Sequence, residues 1–209
     1  MTGKFITFEG IDGAGKGSQI KLLYDHLTQE DFEVVQTREP GGTMYAEALR
    51  DFARDPSYID REDLAELLVF EAARADHVGK LIGPSLKKGK IVVCDRYTDS
   101  SLTYQGYGRG MDLDLIRTLN EIATDGLEPD LTLLFDVELG NADPIDQAIF
   151  EQLGSEYMER VREGYLELAR ENPDRIEIVR RFPASTQEES IEKTFYNRTL
   201  PLVLDLLGS

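Results

Sequence analysis

The sequence predicts an α/β fold in which a five-stranded parallel sheet is covered by helices on both faces, giving three layers. Short apolar runs rich in Val, Ile, Leu and Phe alternate with longer stretches whose apolar residues recur at helical spacing. Five such runs occur, and successive runs are separated by enough chain for a helical crossover. Parallel strands need crossovers of this kind, so we expect helices above and below the sheet.

Two strands and their helices are predicted in the first half of the chain. The run KFITFEG predicts a strand at 4–10, and the pattern that follows it is helical through Tyr24 and Leu27. The run EVVQTREP predicts a second strand at 33–40, because β-branched residues favour strands. Helical patterns then extend from about residue 43 to residue 86.

The second half of the chain continues this alternation without an internal repeat, a low-complexity tract or a linker. A single domain over residues 1–209 is therefore expected. The predicted elements are the strand KIVVCD at 90–95, helical stretches to about Ala123, the strand DLTLLFDV at 130–137, a long helix through Tyr157 and Tyr165, the strand RIEIV at 175–179 and a last helix from about Gln187 to Leu206.

Charge and hydropathy argue against two classes of function. The chain has 40 acidic and 23 basic residues and a formal net charge of −17, which repels nucleic acid and anionic membrane surfaces. Its apolar runs are shorter than the roughly 20 residues that span a bilayer, and its N-terminus lacks a signal-peptide pattern. We therefore expect a cytoplasmic protein with no nucleic-acid or membrane partner. Cys94 lies in an apolar strand, where a buried thiol is expected.

The stretch EGIDGAGKGSQ at 9–19 carries the first chemical motif. Its G-x-x-x-x-G-K spacing falls between a predicted strand and a predicted helix, which is the context of a phosphate-binding P-loop. The glycines let successive N–H groups turn toward phosphate oxygens, and Lys16 reaches the β and γ phosphates. The predicted ATP phosphate-binding residues are Gly10, Asp12, Gly13, Ala14, Gly15, Lys16, Gly17 and Ser18. The predicted fold is therefore that of the P-loop NTPases.

The residue after the lysine departs from the usual P-loop. Gly17 replaces the Ser or Thr whose hydroxyl helps to hold Mg²⁺, but Ser18 follows on the first helical turn. The order GKGS resembles the GKGT of adenylate kinases, in which a displaced hydroxyl is compatible with activity. Asp95 ends the third predicted strand, where a carboxylate beside the loop suits a Mg²⁺ role; the alternative is a capping aspartate. Ser18 and Asp95 are the predicted metal residues.

Five segments resemble the thymidylate kinase family in their residues and in their order along the chain. The segments are FEGIDGAGKGSQ, TREPGGT, LLVFEAARADH, VVCDRYTDSSLTYQGYGRG and PDLTLLFDV. They cover most of the chain from Phe5 to Val137, and RVREGYLELA at 160–169 extends the resemblance. The resemblance implies phosphorylation of dTMP to dTDP by ATP with Mg²⁺, in a homodimer packed through helices. The residues alone imply only a P-loop phosphotransferase with an acceptor site rich in Arg, Tyr and Ser.

The resemblance also implies which residues contact the acceptor base and sugar. Phe70 would stack on the base, and Arg74 would donate to a carbonyl oxygen of thymine. Ser101 and Gln105 match positions at the edge of the base. Tyr104 matches an aromatic ring against the sugar, where it would crowd a ribose 2′-OH.

A second group of matched positions concerns the sugar hydroxyl and the acceptor phosphate. Asp12 corresponds to a carboxylate facing the 3′-OH of the acceptor sugar. Arg50 and Arg96 match arginines that bind the acceptor phosphate, and Arg38 lies close to the same anion. The implied catalytic residues are Asp12, Lys16, Asp95 and Arg96.

Several of these residues have a structural alternative. Phe70 and Tyr104 could belong to the core, and Arg74 could form a surface ion pair on an acidic protein. Arg109 in GYGRG fits a functional and a structural role equally well.

The family pattern fails where an arginine should lie over the transferring phosphoryl group. Some members place it in the P-loop and others in a lid after the fourth strand, but the matching residues here are Gly13 and Pro144. No Lys or Arg occurs from residue 118 to residue 159, and the lid is shortened to about 138–156. Asp143 and Asp146 in this lid would repel a triphosphate if the lid closed in the usual manner.

Three explanations are compatible with the missing arginine. Another arginine compensates, an arginine reaches in from the helix after the lid, or catalysis is weak and the chain is a nucleotide-binding protein. The candidates for the first two are Arg38, Arg96, Arg109, Arg160 and Arg162. We expect a working kinase with a rearranged lid, because the matched acceptor residues are nearly complete.

The choice of nucleotides is less tightly specified. A different acceptor such as dUMP stays open, because one methyl group in a base pocket contributes only about 1–3 kcal/mol. ATP rather than GTP is the default donor. Arg180 and Arg181 after the last strand either stack on the donor base or offset nearby acidic residues.

Overall fold

A computed structural model describes residues 3–58, 60–142 and 154–208 of the chain. Five parallel strands form one sheet in the order β2-β3-β1-β4-β5, which confirms the predicted fold class. The strands are β1 (Lys4–Glu9), β2 (Val34–Arg38), β3 (Ile91–Asp95), β4 (Leu131–Asp136) and β5 (Ile176–Arg180). Each strand lies within one or two residues of its predicted bounds.

Helices occupy the connections between the strands. They are α1 (Lys16–Gln29), α2 (Met44–Arg54), α3 (Asp63–His77), α4 (Gly83–Lys87), α5 (Thr98–Ser101), α6 (Leu113–Thr124), α7 (Ser155–Glu171), α8 (Gln187–Thr194) and α9 (Leu200–Leu207). Turns of π-helix at Val78–Ile82, Leu102–Gly108 and Phe195–Thr199 continue α3, α5 and α8, and short 3₁₀ turns lie at Pro56–Tyr58 and Leu139–Asn141. Among the described residues, no helix combines the length and apolarity needed to cross a membrane.

Apolar side chains from both faces of the sheet are buried under helices. Val92 of β3 packs in a cluster with Ile82, which precedes α4. The next residue, Val93, belongs to a second cluster that contains Leu23 of α1. Successive strand residues point to opposite faces, so helices cover the sheet on both sides. The thiol of Cys94 is buried as expected.

Local sequence signals explain where several helices begin. The Thr43 hydroxyl accepts a hydrogen bond from the Ala46 N–H (3.1 Å) at the start of α2. The Thr186 side chain likewise accepts a hydrogen bond from a main-chain N–H at the start of α8. The Asp112 carboxylate accepts from two N–H groups at the start of α6. The helical pattern predicted at about 43–86 is interrupted between α2 and α3, where Pro56 restricts the residue before it to extended backbone.

Candidate functional site

The site is formed by loops that leave the carboxyl ends of neighbouring strands. β1 lies in the middle of the sheet with β3 on one side and β4 on the other. Phe8 of β1 pairs with Asp95 of β3, which in turn pairs with Arg38 of β2. The loops after these three strands therefore begin side by side, at the edge where open α/β sheets bind ligands.

The phosphate-binding loop connects β1 to α1. Its glycines Gly10, Gly13 and Gly15 have φ values of 130°, 76° and 94°, a region that side chains other than glycine rarely adopt. A Cβ atom at Gly10 would also collide with the main-chain oxygen of Phe135. Gly15 is the residue that precedes α1, so the positive end of the helix dipole faces the loop. The geometry is that of an anion-binding turn.

The Lys16 side chain lies along this loop. Its ammonium group donates to the main-chain oxygens of Gly10 (2.9 Å) and Ile11 (3.0 Å). Burial, together with the nearby Arg96 charge, lowers the pKa of Lys16 to about 8. A bound phosphate would oppose that shift, because an anion stabilises the protonated amine.

Gly17 and Ser18 are both exposed on the first turn of α1. A Cβ atom at Gly17 would meet nothing within 4 Å, so packing does not explain the glycine. The exposed Ser18 hydroxyl lies one residue beyond the usual P-loop position, as the sequence predicts.

A cavity of ≈ 280 Å³ opens beside the loop. Its walls contain every residue that the sequence assigned to the acceptor, together with Asp12 and Asp95. The complete lining is Asp12, Arg38, Glu39, Pro40, Arg50, Ala53, Arg54, Phe70, Arg74, Asp95, Arg96, Tyr97, Ser100, Ser101, Tyr104 and Gln105. We refer to this space as the acceptor cavity.

Arginines form one wall of the acceptor cavity. Arg50 donates to the Pro40 main-chain oxygen (3.0 Å), and Arg38 pairs with Glu47 (2.9 Å) near the surface. Burial and the neighbouring charges of Arg38 and Arg54 hold the pKa of Arg50 below its ordinary value. The wall therefore concentrates positive charge in a chain whose net charge is −17. Arg54 was missed from the sequence, although it follows Arg50 by one helical turn.

Arg96 also lines the acceptor cavity. Its backbone has a φ of 71°, and the Cys94 thiol donates to its main-chain oxygen (3.1 Å). Its guanidinium donates to Asp12 (2.7 Å), and it lies 4.9 Å from the centre of the Tyr104 ring. The Arg96 charge in turn lowers the pKa of Asp12. A non-glycine residue in left-handed conformation marks a position that the surrounding structure holds in place.

A buried carboxylate beside Arg96 was not identified from the sequence. Glu9 accepts hydrogen bonds from the Tyr97 N–H, the Ser100 hydroxyl and the Tyr165 hydroxyl, each at 2.7 Å. Burial, reinforced by the Asp99 charge, raises the pKa of Glu9 to about 7. Tyr165 also accepts from Arg96 (3.1 Å), so α7 helps to hold this wall. The only sequence signal was the acidic residue directly before Gly10.

Arg74 lines the acceptor cavity but is bonded on all sides by protein. It is only 3% exposed. Burial disfavours its charge, but Glu71 and Glu39 more than offset this and raise the pKa of Arg74. Its five N–H groups donate to Glu39, Glu71, Asn120, Ser101 and the Tyr97 main-chain oxygen. The surface ion pair considered from the sequence is therefore wrong, and the thymine contact stays a prediction.

Two further residues have clear structural partners. Gln105 is buried and donates to Glu66 (3.1 Å). Arg109 pairs with Glu66 (3.1 Å) and Asp63 (2.8 Å), and it does not line the acceptor cavity. The half-buried Phe70 lies in the cavity wall rather than in the core.

One oxygen of Asp95 is available for a cation. Within the described residues, Oδ1 of Asp95 is buried without a hydrogen-bond partner. No cluster of three or more His, Cys, Asp or Glu side chains suited to a metal occurs in that part of the chain. This donor set fits Mg²⁺, which commonly takes one or two protein oxygens and completes its shell with phosphate oxygens and water.

A second cavity, of ≈ 370 Å³, lies on the other side of the P-loop. Its walls come from the loop and α1, from the end of β4, from the segment between β5 and α8 and from α8 itself. The lining is Ala14, Gly15, Gln19, Phe135, Arg181, Ala184, Ser185, Thr186, Gln187, Ser190, Ile191 and Thr194. We refer to it as the donor cavity.

The two arginines after β5 point to different partners. The side chain of Arg180 is 71% exposed and lies 3.6 Å from Asp136. Arg181 instead donates to the main-chain oxygen of Gly13 (2.6 Å). Arg180 therefore fits the role of offsetting an acidic residue, whereas Arg181 reaches the P-loop.

The arginines predicted to reach in from the helix after the lid have other partners. Arg160 donates to the main-chain oxygen of Gly108, at 2.8 Å and 3.1 Å. Arg162 pairs with Asp136 (2.8 Å) beside the loop. The predictions for Asp143, Pro144 and Asp146 lie outside the described residues.

Comparison with known proteins gives a consistent result. The family model described as "Thymidylate kinase" matches residues 8–193. A thymidylate kinase of Exiguobacterium sibiricum is 44% identical over 184 residues, which is 86% of this chain and 87% of that protein. One of Geotalea daltonii is 46% identical over 189 residues, covering 85% of this chain and 88% of that protein.

A solved structure shows the same architecture. The crystal structure of thymidylate kinase from Ehrlichia chaffeensis superimposes with a TM-score of 0.81 at 36% sequence identity. The match covers 97% of this chain and 100% of that chain.

Proposed function

This chain belongs to the thymidylate kinase family, and we propose how its two cavities divide the reaction that forms dTDP from dTMP and ATP. The chain is a phosphotransferase that phosphorylates dTMP. This function is favoured over the alternatives that the sequence left open, a kinase of another deoxynucleotide and a nucleotide-binding protein of weak activity.

One geometric observation carries the assignment. The P-loop is a wall shared by the two cavities, because Asp12 lines the acceptor cavity while Ala14 and Gly15 line the donor cavity. A phosphate held by the loop N–H groups would therefore lie between the two spaces. Such a position is what transfer from one nucleotide to another requires.

The donor ATP would bind with its phosphates in the P-loop and its base in the donor cavity. Lys16 and the N–H groups of the loop would hold the β and γ phosphates. Polar side chains of the segment between β5 and α8 and of α8 itself, such as Ser185 and Gln187, would surround the base.

The acceptor dTMP would place its phosphate between two groups of arginines. Arg50 and Arg38 form one group and Arg96 the other, and all three line the acceptor cavity. The base would extend past Tyr104 toward Phe70, with Ser101, Gln105 and Arg74 at its edge. Phosphate binding by several guanidinium groups suits their planar donor geometry.

The transfer itself needs no covalent enzyme intermediate. An oxygen of the dTMP phosphate forms a bond to the γ-phosphorus, the bond from that phosphorus to the β–γ bridging oxygen breaks, and ADP leaves with the electron pair. Arg96 and Lys16 reduce the repulsion between the two anions, and Asp12 orients Arg96 through their 2.7 Å hydrogen bond.

Asp95 and Ser18 would hold Mg²⁺ through their oxygens. The ion supplies neutralisation of the charge on the phosphate oxygens when bound. The unpartnered oxygen of Asp95 is the observation that supports this assignment. Asp95→Asn, which removes the charge and keeps the shape, is the variant suited to testing it.

The direct test is to incubate the purified protein with dTMP, ATP and Mg²⁺ and to measure dTDP. We expect turnover with dTMP and slower turnover with dUMP, by about tenfold or more if one buried methyl contact is lost. Tight dTMP binding without product would instead favour the nucleotide-binding protein. Faster turnover with dUMP would contradict the acceptor assignment.

We also propose that the chain forms a homodimer through α3 and α6. Leu64 and Leu68 on α3 are 48% and 47% exposed, and Leu115 and Ile122 on the neighbouring α6 are 42% and 73% exposed. A second copy would cover these side chains. Sedimentation should give a dimer that Ile122→Glu weakens and that Tyr196→Glu, at an exposed aromatic residue of the C-terminal helical region, leaves intact.

Three further expectations stay proposals. The five described strands form one sheet, which supports a single domain. The net charge of −17 supports the expectation of no nucleic-acid partner. A cytoplasmic location fits an enzyme that consumes ATP and dTMP, and fractionation of the source cells would test it.

A further inference from the structure

The sequence of the P-loop itself contains no arginine. Some members of the family carry one at the position of Gly13, and an arginine over the transferring group contributes about 10³ or more to turnover in related reactions. Two nearby arginines lie elsewhere: Arg96 lines the acceptor cavity, and Arg162 pairs with Asp136 outside the donor cavity. Arg181 is the arginine that lines the donor cavity among the described residues.

Arg181 brings a guanidinium group to Gly13 from 168 residues away in the chain. Its Nη2 atom donates to the Gly13 main-chain oxygen at 2.6 Å. A Cβ atom built on Gly15 would lie 3.6 Å from Nη2 and 3.8 Å from Nε. The guanidinium group therefore covers the loop between Gly13 and Gly15.

The backbone that carries Arg181 is fixed by hydrogen bonds to α8. The Phe182 N–H donates to the Thr194 hydroxyl (2.8 Å), and the Ser190 hydroxyl donates to the Phe182 oxygen (2.7 Å). The Gln19 side chain on α1 donates to the Ile191 oxygen (2.9 Å), so α8 is tied to the helix that follows the P-loop. Arg181 is thus held relative to the loop by secondary structure rather than by a surface contact alone.

The positive charges near Arg181 indicate that its ligand is an anion. Arg181 lies near the N-terminus of α1, where the helix dipole is positive and where Lys16 is already cationic. Positive groups that converge in this way attract a phosphate anion. A nucleoside triphosphate supplies that anion, and a guanidinium fork bonds two phosphate oxygens at once.

We propose that Arg181 binds the phosphate oxygens of the donor during transfer and replaces the arginine that relatives carry in the P-loop or lid. The inference rests on the proposed function, because it concerns the same reaction. It excludes base stacking as the main role of Arg181.

The test compares Arg181→Ala and Arg181→Gln with Arg180→Ala as the matched control. Arg181→Gln removes the charge but keeps an N–H donor for the Gly13 oxygen, so it separates charge from loop structure. We expect kcat to fall about 10²-fold in both Arg181 variants, with an unchanged KM for dTMP. Arg180→Ala should stay within about threefold of the parent protein, as expected for an exposed ion pair.

A binding measurement distinguishes phosphate from base contact. By calorimetry, Arg181→Gln should weaken ATP binding by about tenfold or more and leave adenosine binding unchanged. Equal losses for ATP and adenosine, or wild-type kcat in Arg181→Gln, would overturn the proposal. If the parent protein makes no dTDP, the proposed function fails, and the ATP-to-adenosine comparison still decides whether Arg181 contacts phosphate.

Discussion

The acceptor cavity and the donor cavity share the P-loop but are built in different ways. The acceptor cavity takes its charged residues from segments that directly follow β1, β2 and β3 and from the helices next to them. The donor cavity combines the P-loop with residues that follow β5, at the other end of the chain. The first is assembled by neighbouring strands and the helices next to them, whereas the second depends on how the C-terminal helical region packs against α1.

The two cavities also differ in how their arginines are bonded. Arg74 and Arg96 in the acceptor cavity are held by carboxylates, hydroxyls and carbonyls of the protein. Arg181 in the donor cavity bonds the main chain of the loop itself. The carboxylate partners of Arg74 and Arg96 hold these two side chains in position without ligand, so the acceptor cavity is preorganised.

The largest expected effect lies at the wall that both cavities share. Lys16→Ala should lower kcat/KM for ATP by on the order of 10³, because the loop loses the cation that faces the β and γ phosphates. Lys21→Ala on the same helix, whose side chain is exposed and pairs with Asp25, should keep full turnover. Steady-state rates of dTDP formation measure both. Full activity of Lys16→Ala would contradict a shared phosphate site.

The second prediction concerns the preorganised bonds of the acceptor cavity. Arg74→Met should lower the free energy of unfolding by about 3 kcal/mol, because Glu39 and Glu71 would be left as buried charges without their partner. Urea titration measures this change. Arg117→Met, at an exposed ion pair on α6, is the control and should change stability by less than about 1 kcal/mol.

The same variant addresses the base contact. We expect Arg74→Met to weaken dTMP binding more than ATP binding, because its side chain lines only the acceptor cavity. Equal weakening of dTMP binding and ATP binding would mean that Arg74 supports the fold and does not contact the base.

Arg50 provides a third test of the division between the cavities. Arg50→Ala should raise KM for dTMP by about 30-fold, because a charge-assisted bond to the acceptor phosphate contributes about 2 kcal/mol. The KM for ATP should stay constant, since Arg50 lines only the acceptor cavity. A comparable rise in both constants would show that the wall of arginines serves the donor as well.

The smallest expected effect is a pH dependence on the donor side. The pKa of Lys16 is lowered to about 8 by burial, so its cationic form is present below that pH and is lost as the pH rises through it. We expect kcat/KM for ATP to fall about tenfold between about pH 7 and about pH 9. At saturating ATP, bound phosphate keeps Lys16 protonated, and kcat/KM for dTMP should change less. An unchanged ATP profile across this interval would show that Lys16 does not control donor binding.

Most of the fold could be predicted because its signals are local. Alternating apolar runs and helical periodicity located every strand, and the glycine spacing located the P-loop. The residues of the acceptor cavity could be predicted for a related reason. They lie within segments whose order resembles a known family, and parallel strands bring the ends of those segments together.

The rest depended on contacts between residues that are far apart in sequence. Tyr165 donates to Glu9 across 156 residues, and Arg181 reaches Gly13 across 168. No periodicity or spacing encodes such pairs. The buried partners of Arg74 are a further example, because its helix alone gave no sign that five acceptors would surround it.

The sequence by itself determined the parallel sheet, the phosphate-binding loop and the residue types around the acceptor, because backbone propensity and hydrophobic periodicity act within short segments. Only the tertiary structure decided which arginine faces the donor side of the loop. Arg181 lies at Gly13 and Arg180 beside Asp136, and the backbone after β5 is tied to α8, which the Gln19 side chain joins to α1. Long-range packing sets the direction of a side chain, and the direction determines which anion its charge can neutralise.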